Sequence, residues 1–95
     1  PWLVTTVLPQ APDITLVRDN TVLGSCAGPG EVELFSDPGD QGETYLGTAQ
    51  CDDGAPHEFS VSVALPSDRF VTAIYTDTSD QSSGFSVPRP IPYEP

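Results

Sequence analysis

Proline and glycine recur so closely along this chain that long helices do not fit between them. Of the 95 residues, 11 are proline and 8 are glycine. Proline removes a backbone donor and clashes with the preceding helical turn, and glycine costs a helix backbone entropy. The short segments left between them are rich in β-branched and aromatic residues, which is typical of strands. The chain is therefore expected to be all-β and, at this length, a single domain.

Seven segments carry a strand signal, and turn residues separate most of them. The clearest is 59–65, where apolar residues alternate with Ser and Ala. The segment 70–76 also fits a short helical face, but its β-branched and aromatic content favours a strand. The full expected set is 14–17, 21–26, 31–35, 44–51, 59–65, 70–76 and 84–87.

Seven short strands in one small domain predict two antiparallel sheets packed as a β-sandwich, with an open five-stranded barrel as the alternative. We expect the sandwich to span 14–87. Residues 1–13 are expected to be a flanking segment or an edge strand. Residues 88–95 carry proline at four of eight positions, which favours an extended Pro-rich tail or linker.

The charge balance excludes several classes of partner. The chain has 14 acidic residues against 3 arginines and no lysine, for a net charge of −11. Such a surface is repelled by nucleic acid and by anionic membranes. No apolar run approaches the roughly 18 residues of a membrane-spanning helix, so membrane insertion is not expected. Because the chain opens on Pro1 without a leader sequence, we expect a mature form or an excised piece.

Two cysteines, Cys26 and Cys51, are separated by 24 intervening residues. An even pair in a small, acidic, lysine-free domain predicts a disulfide formed in an oxidising compartment. The alternative is two buried, unlinked thiols that pack as small apolar side chains. A structural zinc site lacks ligands, because the chain has one histidine and no closely spaced cysteine pair.

The sequence predicts no enzyme, no catalytic residue and no cofactor. His57 is the only histidine, and no G-x-S-x-G motif accompanies it. Asp77-Thr78-Ser79 resembles the Asp-Thr-Gly turn of aspartic proteases, but Ser79 replaces the glycine that allows two such turns to pack together. We therefore expect His57 at a solvated strand edge and the tripeptide to be a coincidence.

Two loops concentrate carboxylates and are the candidates for a metal site. Hard oxygen ligands on loops suit calcium, which takes six to eight of them. With 14 acids in the chain, solvated side chains are the favoured interpretation and calcium binding is the alternative. The candidate ligands are Asp37, Asp40 and Glu43 in the first loop, and Asp77 and Asp80 in the second.

Surface aromatic rings could stack on sugars, so glycan binding is a further alternative. Most aromatic side chains of a small sandwich are expected in its core. The spacing of these rings sets no single face apart. The available side chains are Trp2, Tyr45, Tyr75 and Tyr93.

An ordered set of short motifs covers about 55 residues, from Val32 to Ser86. The motifs are VELF at 32–35, GETYLGT at 42–48, FSVSVALP at 59–66, FVTAIYTD at 70–77 and SSGFS at 82–86. In this order the set resembles the small immunoglobulin-like module that ends a right-handed parallel β-helix in many bacterial secreted proteins. The chain departs from that pattern after Asp77, where Thr-Ser-Asp-Gln-Ser replaces the usual Gly-Asn-Thr-Ser turn.

The resemblance implies an immunoglobulin-like β-sandwich of about seven strands in a secreted or cell-surface protein. It implies a non-catalytic structural or accessory module that spaces or caps a neighbouring domain of the same chain. Such a module can cover the open backbone at the end of a β-helix. The alternative is a binding module for a glycan or a protein partner, assisted by calcium.

Overall fold

Two antiparallel sheets face each other in the computed structural model, which describes residues 8–37, 44–65 and 69–94. The described ranges contain no helix, so the predicted all-β fold is confirmed. One sheet has the order β1-β2-β5 and the other the order β4-β3-β6-β7. The strands are β1 (Asp13–Arg18), β2 (Thr21–Ser25), β3 (Gly30–Asp37), β4 (Thr44–Cys51), β5 (Glu58–Ser62), β6 (Phe70–Asp77) and β7 (Arg89–Pro90).

The strand order is that of an immunoglobulin-like sandwich rather than a closed barrel. The chain leaves the three-stranded sheet after β2, forms β3 and β4, returns for β5, and crosses again to β6. Strands one, two and five lie on one sheet and strands three, six and seven on the other, as in immunoglobulin domains. The fourth strand pairs with β3 and widens the second sheet to four strands.

Alternate residues of the strands form the core between the sheets. On β3, Val32 and Leu34 are fully buried, whereas Glu31 is exposed. Successive side chains of a strand point to opposite faces, so this pattern separates the core from an outer face. The buried apolar residues are Ile14, Val17, Val22, Val32, Leu34, Ala49, Cys51, Phe59, Val71, Ala73 and Tyr75.

A two-residue turn closes the β1–β2 hairpin and also shapes the end of β5. Asp19 and Asn20 have φ of 52° and 59°, the left-handed conformation that suits tight hairpin turns. In this turn the main-chain oxygen of Asn20 accepts a hydrogen bond from Val63 N, and its side-chain oxygen accepts one from Leu65 N. Strand β5 therefore ends at Ser62 and not at residue 65, because its partner β2 begins at Thr21, opposite Ser62, and the turn residue Asn20 binds the backbone beyond that point.

A serine-lined segment replaces the expected strand 84–87. The amides of Ser83 and Ser86 donate to the carbonyls of Tyr75 and Ala73, at 2.8 Å each. The two serine hydroxyls accept from the amides of the same two β6 residues, at 2.9 Å each. Side chains take the place of backbone carbonyls here, so the segment follows the edge of β6 without forming a regular ladder. The regular strand begins only at Arg89.

The Pro-rich segment packs against the sandwich. Pro90 pairs with Phe70, a position that requires no donor from proline. Tyr93 and Val17 exchange two backbone hydrogen bonds of 2.7 and 2.8 Å. Ile91 and Tyr93 pack against the core. The expected boundary at residue 88 therefore does not mark the end of the packed structure, and the linker role of 88–95 stays a prediction.

We predict that Gly24→Ala lowers the free energy of unfolding by about 1–3 kcal/mol, the usual cost of overpacking. A Cβ at Gly24 would overlap the carbonyl oxygen of Asp13 and the ring of Phe59. Gly54→Ala is the matched control, since nothing lies within 4 Å of a Cβ there. Urea denaturation measures both variants. An equal decrease in the free energy of unfolding for Gly24→Ala and Gly54→Ala would contradict the packing of Gly24 on Phe59.

We predict that Ser86→Ala destabilises the domain by about 1–3 kcal/mol, because it leaves the buried amide of Ala73 without an acceptor. Ser62→Ala, at an exposed position of β5, is expected to change the stability by less than about 0.5 kcal/mol. Thermal unfolding followed by circular dichroism compares them. Similar melting temperatures for both variants would show that the hydroxyl does not hold the edge of β6.

Candidate functional site

The predicted disulfide between Cys26 and Cys51 is present in the structure and joins the two sheets. Cys26 directly follows β2, Cys51 is the last residue of β4, and their Cα atoms are 6.3 Å apart. Immunoglobulin domains usually connect their second and sixth strands instead. Here the bond lies at the end of the sandwich where β1 begins, because Asp13 pairs with Ser25.

His57 closes the turn between β4 and β5. It has a φ of 55°, and its amide donates to Gly54 O at 2.9 Å. Its Nδ1 lies 2.8 Å from the carbonyl oxygen of Asp52, and its own carbonyl accepts from Cys26 N at 2.9 Å. The half-buried histidine therefore connects the turn to the disulfide end of the sandwich.

The candidate calcium loops lie at opposite ends of β3. Asp77 pairs with Gly30 at the start of that strand, and Asp37 is its last residue. Seven residues of strand separate the two ends by about 23 Å. Asp40 and Glu43 lie outside the described residues. Among the residues that are described, no group of three or more His, Cys, Asp or Glu is placed to hold a metal ion.

Asp77 organises its own loop. One carboxylate oxygen accepts from Ser79 N at 2.9 Å and from Gln81 N at 3.0 Å. The carbonyl oxygen of Asp77 accepts from the amide of Asp80, which has a φ of 62°. The tripeptide Asp77-Thr78-Ser79 is thus a side-chain-stabilised turn between β6 and the serine-lined segment. Asp80 is exposed at the tip of this turn.

The aromatic residues considered for glycan binding are dispersed. Trp2 lies outside the described residues. Tyr75 is buried in the core, where its hydroxyl donates to the carbonyl oxygen of Pro29 at 2.7 Å. Tyr93 is half-buried beneath the guanidinium of Arg89, 4.6 Å from its ring centre. Of the three candidates that the structure describes, only Tyr45 is exposed, at 55%.

Tyr45 is part of an aromatic cluster that the sequence analysis did not single out. The ring of Phe35 meets that of Tyr45 at 5.8 Å and that of Phe85 at 5.7 Å, both edge to face. Thr72 pairs with Phe35 and is fully buried although it lies on the outward side of β6. The sequence did carry one signal for this cluster. Phe35 directly follows the core residue Leu34 on a strand, so its side chain is expected on the opposite, outer face.

We call the surface around this cluster the outer face of the four-stranded sheet. Its register is fixed by the pairing of Glu33 with Thr48 on one side and with Ile74 on the other. The residues of the outer face are Glu31, Glu33, Phe35, Tyr45, Thr48, Gln50, Thr72, Ile74, Thr76 and Phe85.

The outer face is aromatic at one end and acidic at the other. The acidic end is an open depression of about 370 Å³ lined by Gly30, Glu31, Glu33, Gln50, Thr76, Asp77 and Asp80. None of the residues of the outer face or its depression is a cation. Elsewhere, Arg18 forms an ion pair with Glu94, and Arg89 contacts Asp13 at 3.4 Å.

A comparison with protein-family models and with curated proteins finds no match for this chain. Within the described ranges, no helix is long and apolar enough to cross a membrane.

Loss of the disulfide is expected to destabilise the domain by about 3 kcal/mol, since the bond closes a loop of 25 residues in the unfolded chain. We predict this loss for Cys26→Ser/Cys51→Ser in urea denaturation. Mass spectrometry of the native protein, alkylated without reductant, provides the chemical check. Two alkylated thiols, or a double variant as stable as the parent, would contradict the bond or its role.

Alkaline pH is expected to weaken the fold through Tyr75. Burial raises the pKa of its phenol above the ordinary value of about 10, and the nearby Asp77 carboxylate raises that pKa further. The native state therefore holds this proton more tightly than the unfolded state. The protonated phenol therefore contributes its full share to the free energy of unfolding below about pH 10, and this share is lost as the pH rises through the native pKa.

We predict that the stability of the parent relative to Tyr75→Phe falls as the pH rises above about 10. Urea denaturation of both proteins between pH 8 and 11 measures this difference and cancels the titration of the groups they share. A difference that stays constant over the whole range would contradict the raised pKa.

Proposed function

We propose that this chain is a non-catalytic accessory module that spaces a neighbouring domain of a longer secreted or cell-surface bacterial protein. The observation that carries the proposal is the path of the chain through the sandwich. Strand β1 begins at the disulfide end, where Asp13 pairs with Ser25. The last described residues lie at the other end, where Tyr93 pairs with Val17 and Glu94 contacts Arg18. A module with this path holds its neighbours apart.

The two ends of the path are tied to the body of the sandwich. Tyr93 exchanges two backbone hydrogen bonds with Val17, and the ring of the same tyrosine lies beneath Arg89. At the other end, the disulfide joins the sheets beside the first residues of β1. The backbone pairing of Tyr93 with Val17 holds the last described segment against the sandwich, which supports the spacer role.

The roles of the polar candidates also favour a structural function. The His57 ring bonds a carbonyl of its own turn, and a carboxylate oxygen of Asp77 accepts two amides of its own loop. Both side chains hold backbone in place. The resemblance of Val32 to Ser86 to the module at the end of bacterial β-helices supplies the cellular context of the proposal.

The first test is the size and location of the native protein. An antibody against this domain is expected to detect, in the culture medium or on the cell surface, a polypeptide much larger than 10.1 kDa. A free species of 10.1 kDa inside the cell would overturn the proposal.

The second test replaces residues 13–94 in that longer chain. One variant carries a flexible Gly/Ser linker of equal residue number, and the control carries an unrelated β-sandwich whose termini lie at opposite ends. Electron microscopy measures where the flanking domain sits. The proposal predicts a fixed position for the parent and the control and a scattered one for the linker. An unchanged position with the linker would contradict the spacer role.

Binding of a glycan or protein partner is the second candidate, and the exposed aromatic cluster favours it. Soluble glycans titrated into ¹⁵N-labelled domain, with and without calcium at constant ionic strength, test the glycan form. Shifts confined to Phe35, Tyr45 and Phe85, and lost in Phe85→Ala, would support it. A spectrum that no glycan changes would count against glycan binding.

A further inference from the structure

We propose that the outer face of the four-stranded sheet docks a basic protein segment that presents arginine or lysine side chains beside an apolar one. This inference goes beyond the spacer role and rests on other residues, so either stands if the other fails. Three properties of the face carry it, namely its aromatic end, its acidic end and the absence of cations between them.

The aromatic end offers exposed rings on a supported surface. Tyr45 is 55% exposed and Phe85 is 41% exposed, and the half-buried Phe35 between them meets both rings edge to face. Clustered exposed aromatic side chains are typical of interaction surfaces. The face of an aromatic ring also attracts a cation, most often the guanidinium of arginine.

The acidic end lies within reach of the same ligand side chain. Glu33 is two residues from Phe35 on the same side of β3, a separation of about 6.5–7 Å. An arginine could therefore stack on the cluster and bond the Glu33 carboxylate at once. Further along the face, Glu31, Asp77 and Asp80 line the open depression and provide sites for a second cation.

The charge of the outer face favours a positively charged partner. The residues of the face and its depression include carboxylates and no cation. Arg18 and Arg89 form their ion pairs elsewhere, and the third arginine, Arg69, lies directly before β6 with one guanidinium nitrogen buried. A second copy of this chain would bring another −11 charge to the contact and would be repelled. A basic protein segment satisfies both ends of the face.

The test uses a 12-residue peptide that alternates arginine with leucine, and an analogue with glutamine in place of arginine. Titration of the arginine peptide into ¹⁵N-labelled domain is expected to shift amides of 31–35, 45–50, 72–76 and 85. The glutamine analogue should leave these amides unshifted. A phosphatidylserine vesicle and a panel of soluble glycans are the competing ligands, and binding of either in preference to the peptide would overturn the proposal.

Matched variants separate this face from the overall negative charge. Glu31→Gln/Glu33→Gln removes two charges from the face and is expected to weaken peptide binding by about fivefold, as for two exposed ion pairs. Asp19→Asn/Asp53→Asn removes two charges from turns outside the face and should change binding by less than about twofold. Phe85→Ala should weaken binding at unchanged net charge. Equal weakening by both double variants, or shifts spread over both sheets, would overturn the proposal.

Discussion

The register of β3 is the constraint on which the rest of the structure depends. This strand pairs with β4 on one side and with β6 on the other, so its alternation sets the alternation of the whole four-stranded sheet. With Val32 and Leu34 turned to the core, Glu33 and Phe35 must face outward. A slip of one residue would bury Glu33 and expose Leu34, which fixes the register strongly. The core and the acidic and aromatic outer face are thus two consequences of one pairing.

Two further ties lie at opposite ends of the sandwich. The disulfide joins the sheets near the start of β1, and the backbone pairing of Tyr93 with Val17 holds the last segment against that same strand. The modest apolar core of a small domain gains from such additional ties. Neither tie involves a residue of the outer face of the four-stranded sheet.

The sequence was sufficient for the fold class, six of the strand positions and the cysteine pair, because alternation and turn residues are local signals. It failed where distant residues compete for backbone groups. Strand β5 ends early because its partner β2 gives way to the turn at Asn20, and the hydroxyls of Ser83 and Ser86 occupy the edge of β6 where the strand 84–87 was expected. The aromatic cluster escaped notice for a related reason. The alternation of β3 is enough to place Phe35 on the outer face. Its contacts with Tyr45 and Phe85, however, depend on how three separate chain segments pair with one another.

The most direct test of this account compares two adjacent residues of β3 by urea denaturation. Leu34→Ala removes a fully buried side chain, so the free energy of unfolding should fall by about 2–5 kcal/mol. Glu33→Ala, one residue earlier on the outer face, should change it by less than about 0.5 kcal/mol. Losses of similar size, or a larger loss at Glu33, would show that β3 does not divide the core from an outer face.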